Sequence, residues 1–534
     1  MKKLGVYSVI LIAVVISQVG LLTISSPSQA SSTNRVIILV NNNLYSGIQY
    51  NINQYAYDLA VLGYTPEIVS QSWSSPEETR GYLSKEYKMG LVGAVMIGDI
   101  PSALYEEDVP EDFLDNPLTP QSEVFPIDLF YMDLDGIWQD SDENGIYDGH
   151  SGLTEPEIWV GRITATTLNG DEVELTNRYL EKVHDLKMGV YTPNGQALLY
   201  VDDDWVTSAS SWEGDLSWLY DDITTIRSTS RTNADDYKNQ LNEGFEWIHV
   251  AVHSSYDSHH FKVMKVWQLK EVSSDDVRNI GPEAYYYNLF ACSAADYTSN
   301  NYIAGCYLFS ESKGVAAIGS TKTGSMKRFG DFYKPLGEGE SIGNAFLSWF
   351  KIHGESEPDW YYGLTIIGDP TIVPKNPHIP DGDGGAANLK PLVIVQSPSN
   401  NEVIISSITI HGTALDDKDV KSVWVKLDSR DWDQAQGTGT WSYYWDIEGE
   451  PHGSHTIYVR AFDGELYSDT ASISITIGNN LLDEDEDEPV QSDSEGEGFA
   501  GLLAIPLIFM IIGIAAVITV VVIVLILLGG PTRI

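Results

Sequence analysis

The chain has 534 residues, too many for one typical domain, so two or three are expected. It is 43% hydrophobic and 11% aromatic, which excludes wholesale disorder. Its 31 basic against 76 acidic residues leave a formal net charge of −45, which argues against nucleic acid as a partner, because a phosphate backbone needs basic surface.

At the N-terminus, Lys2 and Lys3 precede an apolar run from Leu4 to about Leu22. Ser28-Gln29-Ala30 then offers a small-x-small cleavage site, so 1–30 read as a secretory signal. Strand-like runs follow at 35–42 ("RVIILVNN"), 65–70, 91–99, 157–163, 196–204 ("QALLYVDDD"), 247–252 ("WIHVAV"), 285–291 ("YYYNLFA"), 314–320 and 364–373. Most are continuous apolar runs, as expected for strands covered on both faces. Helix-like stretches separate them, among them 170–188 with Leu175, Leu180, Val183 and Leu186 on one face. This alternation predicts an α/β region with mostly parallel sheets in two subdomains, 34–190 and 191–375. Residues 376–387 read as a Pro/Gly/Asp linker. In 388–478 about seven short alternating strands predict an all-β sandwich, and their pattern resembles bacterial Ig-like modules. The tract 479–498 is an acidic spacer, and 499–528 is apolar enough for one transmembrane helix. The expected product is an ectodomain at the cell surface, tethered through its C-terminal helix.

His253 and Cys292 each stand where a strand-like run ends. Ligands of open α/β sheets bind at the carboxyl ends of strands, and adjacent parallel strands bring two such residues to one edge. Thiolate then attacks a carbonyl, and imidazolium protonates the leaving amine. Backbone N–H groups at Ser254 and Cys292 are candidates to hold the oxyanion. With two cysteines in the chain, a Cys292–Cys306 bridge and a reactive thiol are both open. The motif "YVDDDW" sets Asp202, Asp203 and Asp204 at a third strand end, as an acidic loop or as calcium ligands. The stretch 133–150 packs Asp133, Asp135, Asp140, Asp142, Asn144 and Asp148 around Gly136 and Gly145. Oxygen donors at alternating positions with turn glycines suit a structural Ca²⁺. Ser151 stands where an EF-hand would place its bidentate glutamate, so the stretch is a calcium-binding turn rather than an EF-hand.

The ordered words "AVHSS", "NLFACSAADY", "GVAAIGSTKTGSM" and "LTIIGDPTIV", with "VGAVMIGDIPSA", "EIWVGRITA" and "GQALLYVDDDW" before them, resemble the gingipain family of cysteine peptidases over 34–375. The resemblance implies a caspase-like α/β fold, with Cys292 as nucleophile and His253 as general base and acid. Aligned without gaps from Gly195, it places the histidine-orienting acid on Asp204. The acid of a basic S1 pocket falls on Asp215, and the apolar roof of that pocket on Met326. An endopeptidase acting on proteins or peptides, with Arg or Lys at P1, is what it implies; with the signal and the C-terminal span, the expected enzyme is secreted and membrane-anchored. Cys306 takes a buried packing role. The family usually has glycine on both sides of the histidine, where this chain has Val252 and Ser254. If position 254 needs a left-handed backbone, serine is strained there. Two rivals stand beside this reading. One is a metallohydrolase using His253, Asp257, His259 and His260, whose spacing fits no zinc pattern. The other is an inactive adhesion or scaffold protein on a peptidase-like fold.

Overall fold

The computed structural model describes residues 34–108, 122–379, 388, 390–416 and 419–478. The α/β region is built on one ten-stranded sheet. From edge to edge its strands are Asp222–Ile226, Gln196–Val201, Trp247–Ala251, Tyr286–Phe290, Ala316–Ser320, Leu364–Gly368, Trp159–Ile163, Leu91–Ile97, Arg35–Asn41 and Thr65–Gln71. Neighbours run parallel except Ala316–Ser320 and Leu364–Gly368, which are antiparallel with Ala317 opposite Ile367.

The two halves read from the sequence therefore share a single sheet. The strand Leu364–Gly368 leaves the second half and pairs with Trp159–Ile163 of the first, Ile367 opposite Arg162. Periodicity reads one strand at a time and carries no information on this return. The continuous apolar runs are explained by burial, since Trp247–Ala251, Tyr286–Phe290, Ala316–Ser320 and Leu364–Gly368 are buried at every position.

The helix expected over 170–188 spans Glu172–Lys187. The Asp171 side chain caps it by accepting the Glu174 N–H, and Leu175, Leu180, Val183 and Leu186 are buried. A hairpin at the site is absent from the sequence reading. Ser258–Val263 and Val266–Ser273 form an antiparallel hairpin, and the first of these strands also pairs with His253–Ser254. Its two-residue turn is Met264-Lys265, both with positive φ (50° and 65°). Such turns are normally announced by Asn-Gly or Asp-Gly. Here no glycine marks it, and the Asp203 carboxylate holds the turn by accepting the Lys265 N–H.

Residues 392–477 form two sheets of four and five strands around a separate core that includes Ile410, Val423, Trp441, Ile457 and Ile475. Among the described residues no helix is long and apolar enough to cross a membrane. The expected signal 1–30, the spacer 479–498 and the span 499–528 lie outside the described residues.

Candidate active site

The strand Trp247–Ala251 delivers His253, and its neighbour Tyr286–Phe290 delivers Cys292. Ala251 lies opposite Phe290, and the Val252 N–H donates to the Phe290 carbonyl at 3.0 Å. That register, carried on by two residues, sets His253 level with Cys292 at the carboxyl edge of the sheet. The His253 Nε2 lies 2.7 Å from Asp204 Oδ2, which leaves Nδ1 as the nitrogen free to exchange a proton with a thiol. The ring is flanked by two indoles, with centroids 4.6 Å from Trp205 and 4.8 Å from Trp267. The same carboxylate takes Lys262 Nζ on Oδ2 and Lys265 Nζ on Oδ1 at 3.0 Å. Asp202 accepts the Lys262 N–H at 2.9 Å, so all three aspartates of "YVDDDW" hold the hairpin that carries these lysines.

Cys292 and Cys306 are both free, so no bridge ties the candidate nucleophile. Among the described residues no hydrogen bond joins the Cys292 thiol to the imidazole; its sulfur faces the N–H groups of Gly324 and of Cys292 itself. The residue after it, Ser293, has a positive φ of 56°, a sharp turn that displays the thiol at the strand end. Ser254 is not among the described non-glycine residues with positive φ, so serine is unstrained there. Its hydroxyl is used within the hairpin, donating to the carbonyls of Ser255 and Ser258 at 2.7 and 2.9 Å.

Burial pushes the Cys292 thiol above its ordinary 9.0, against the lowering pull of the Gly324 N–H and of Lys322. Burial also depresses His253 below 6.5, and the Asp204 hydrogen bond offsets this only in part. Asp204 shows the opposite balance. Burial would raise it, but the bonds from Lys262, His253 and Lys265 hold it well below the usual carboxylate range. Between the two limits the resting pair is thiol and neutral imidazole. Alkylation of Cys292 by iodoacetamide, followed by peptide mass spectrometry, is therefore expected to accelerate continuously from neutral pH to beyond 9.0. A rate already level on the acid side of neutrality would indicate a preformed thiolate–imidazolium pair and contradict this.

The profile described as Peptidase family C25 matches residues 29–375. The chain belongs to this family, the gingipain family. A second profile, Bacterial Ig domain, matches 391–459. Comparison with curated proteins gives no match. Among solved structures, dimeric latent PorU from Porphyromonas gingivalis is 11% identical with a TM-score of 0.28, over 84% of this chain and 44% of PorU. The fibronectin(III)-like modules of Clostridium thermocellum CbhA are 17% identical with a TM-score of 0.15, over 25% of this chain and 57% of theirs. The endo-beta-1,4-mannanase from Thermotoga petrophila is 12% identical with a TM-score of 0.20, over 76% and 96%. The chain thus spans less than two thirds of the first two.

In this C25 chain a cavity of about 780 Å³ is lined by Trp205, Trp212, Phe290, Lys327, Glu357 and Trp360; Trp205, which packs on the His253 ring, links it to the histidine, and neither His253 nor Cys292 lines it. Neither Asp215 nor Met326 lines it. Asp215 sits in the helix Ala209–Leu216 and accepts the Gly330 N–H, and burial raises its carboxyl. Met326 is fully buried, its sulfur 3.9 Å from Asn288 Nδ2.

The metallohydrolase donors do not converge. His253 is bound to Asp204, His259 is buried between Ser254 Oγ and Tyr307 Oη, and Asp257 accepts from the Ser255 hydroxyl.

The five aspartates named in 133–150 divide into two groups rather than one site. Asp133, Asp135 and Glu157 bring carboxylate oxygens within 4.8 Å of one another, and Glu157 had no signal because it lies outside the quoted stretch. Asp133 is already engaged, with Oδ1 accepting the Gly136 N–H at 2.7 Å and Oδ2 2.5 Å from His150 Nε2. Asp140, Asp142 and Asp148 instead accept N–H groups of their own turn, from Gly145, Asn144 and Ser141.

Sequence reasoning also passed over Lys262, Trp267 and Gly324. The first two reach the site through an unannounced hairpin. Gly324 has a φ of 138°, and a Cβ there would lie 2.3 Å from the Trp360 carbonyl oxygen, so no other residue fits beside the thiol.

Proposed function

We propose that this chain is a cysteine endopeptidase in which Cys292 attacks the scissile carbonyl, His253 moves the proton, and Asp204 positions the imidazole. The carrying observation is the 2.7 Å contact between Asp204 and His253, in a register that sets the histidine level with Cys292. Neutral imidazole takes the thiol proton as sulfur attacks. The N–H groups that face the sulfur, of Cys292 and Gly324, are the oxyanion donors this arrangement supports. The imidazolium then protonates the leaving amine, its charge stabilised by Asp204. Incubation with a peptidyl acyloxymethyl ketone tests the reading. Labelling confined to Cys292, together with cleavage of internal peptide bonds, is expected. An unlabelled, unreactive protein would favour the scaffold alternative.

An Arg or Lys at P1 is supported by the indoles of Trp205 and Trp212 and the carboxylate of Asp359 at the 780 Å³ cavity, where Lys327 already lies over Trp360 and pairs with Glu357 at 2.7 Å. Equal cleavage after Arg and Leu in a fluorogenic panel would refute this preference. A structural Ca²⁺ is supported by the all-oxygen donor set of Asp135, Glu157 and Asp133. A rise in Tm with CaCl₂ that is lost in Asp135→Asn is expected, and an unchanged rise in that variant would exclude these ligands. Export and tethering at the cell surface rest on the sequence of 1–30 and 499–528. Recovery of the protein in the cytosolic fraction would contradict them.

A further inference from the structure

A second cavity, of about 220 Å³, lies between the helices Glu172–Lys187, Ser274–Ile280 and Ile303–Phe309 and shares no residue with the site above. Its apolar wall is Leu168, Leu175 and Phe309, and its polar lining is Arg178, Arg278, Cys306 and Ser310, with the exposed Glu311 at the rim. Arg178 Nη2 donates to the Phe309 carbonyl at 2.8 Å, but its Nε is buried with no partner. Ser310 is 5% exposed, and its Oγ is likewise buried with no partner. Arg278 gives Nη1 to Asp275 at 3.0 Å and Nη2 to Asn301 Oδ1, and it lies 3.6 Å from the Cys306 sulfur.

In a chain of net charge −45, two guanidiniums lining one small cavity are a departure from the acidic background. A buried donor left unmade is costly, and native proteins normally satisfy it. Here two such groups, Arg178 Nε and Ser310 Oγ, belong to residues that line the same cavity. Its volume is below the range typical of drug-sized ligands, so it suits an end group or a small acid. Arginine and hydroxyl donors together recognise carboxylate or phosphate oxygens. We propose that this cavity is a binding site for a small oxyanion, held by Arg178, Arg278 and Ser310. The site touches the far end of the segment that begins at Cys292, because Arg278 holds Asn301, whose N–H donates to the Thr167 carbonyl.

The test uses the full chain carrying Cys292→Ala, which leaves Cys306 as its one thiol. Inorganic phosphate and acetate are titrated against chloride at matched ionic strength. The expected result is a saturable rise in Tm, following ln(1 + [L]/Kd), with slowed alkylation of Cys306. A response to phosphate alone marks a tetrahedral ligand, and one to acetate alone marks a carboxylate. Ser310→Ala removes an unpartnered buried hydroxyl, so without anion its Tm is unchanged or higher, while its anion response falls several-fold. Arg178→Lys weakens the response as well. Phosphate also stabilises proteins by exclusion from their surface. A rise of equal size in all variants would be that general effect and would overturn the site, as would the absence of both saturation and protection.

Discussion

Replacing Cys292 by alanine is expected to abolish peptide hydrolysis, and His253→Ala to lower kcat by about 10²–10⁴-fold, the usual contribution of a positioned general acid–base. Both side chains are part-exposed at a strand end, so alanine at either position leaves the packing of the sheet intact. Asp204→Asn should cost less than the ~10⁴-fold seen when a buried, undivided carboxylate is lost from a serine-type triad. Asp204 is 26% exposed and divides its charge among His253, Lys262 and Lys265. Its neutralisation also leaves two ammonium groups facing the imidazole. The His253 pKa, already below 6.5, then falls further, so the acid limb of the kcat/KM profile moves to lower pH as kcat drops. Steady-state kinetics across pH on the three variants, with circular dichroism as the folding control, make this measurable. A His253→Ala enzyme with undiminished kcat would remove the histidine from the mechanism.

Much of the α/β region was legible because buried strands are written as continuous apolar runs, and nine of the ten sheet strands overlap a run read from the sequence. The tenth, Asp222–Ile226, is an edge strand with a broken apolar pattern, and it was missed. His253 and Cys292 were visible for the same reason, since each ends such a run. What could not be read is long-range. The antiparallel seam at Ala317 and Ile367 depends on which strands meet. The hairpin that brings Lys262 and Trp267 to His253 depends on an aspartate 62 residues away from the lysine whose N–H it accepts. The cavity that reaches His253 through Trp205 takes that residue from a turn and Trp360 from the short helix Pro358–Tyr361, so its lining cannot be found by local alignment. Several quoted words turn out to be structural rather than chemical. Arg162 of "EIWVGRITA" is buried 2.7 Å from Asp128, which also receives the Tyr297 and Thr365 hydroxyls. The word "GDP" is another such knot.

Asp369→Ala is expected to destabilise the α/β region by about 3–5 kcal/mol, the cost of leaving a buried charge without its partner. That is a large part of the ~5–15 kcal/mol that holds a typical domain folded. Asp369 is fully buried, with Oδ2 2.9 Å from Lys187 Nζ, whose side chain is 1% exposed. Oδ1 accepts the Tyr55 hydroxyl at 2.8 Å and the Thr371 N–H at 2.9 Å. The pair joins the end of the helix Glu172–Lys187 to the residue just after the strand that closes the sheet. Gly368 makes the approach possible, because its φ is 103° and a Cβ there would lie 2.2 Å from the Val315 carbonyl oxygen. Removing the carboxylate alone strands an ammonium group and three donors in the interior. Replacing both ions with apolar residues, Asp369→Leu with Lys187→Met, removes the unpaired charge and should recover most of the loss. Unfolding in urea, followed by circular dichroism, gives both values. A single-variant loss no larger than the ~1 kcal/mol of an average substitution, or a double variant no more stable than the single, would show that the charge pair is not what fastens the two halves of the sheet.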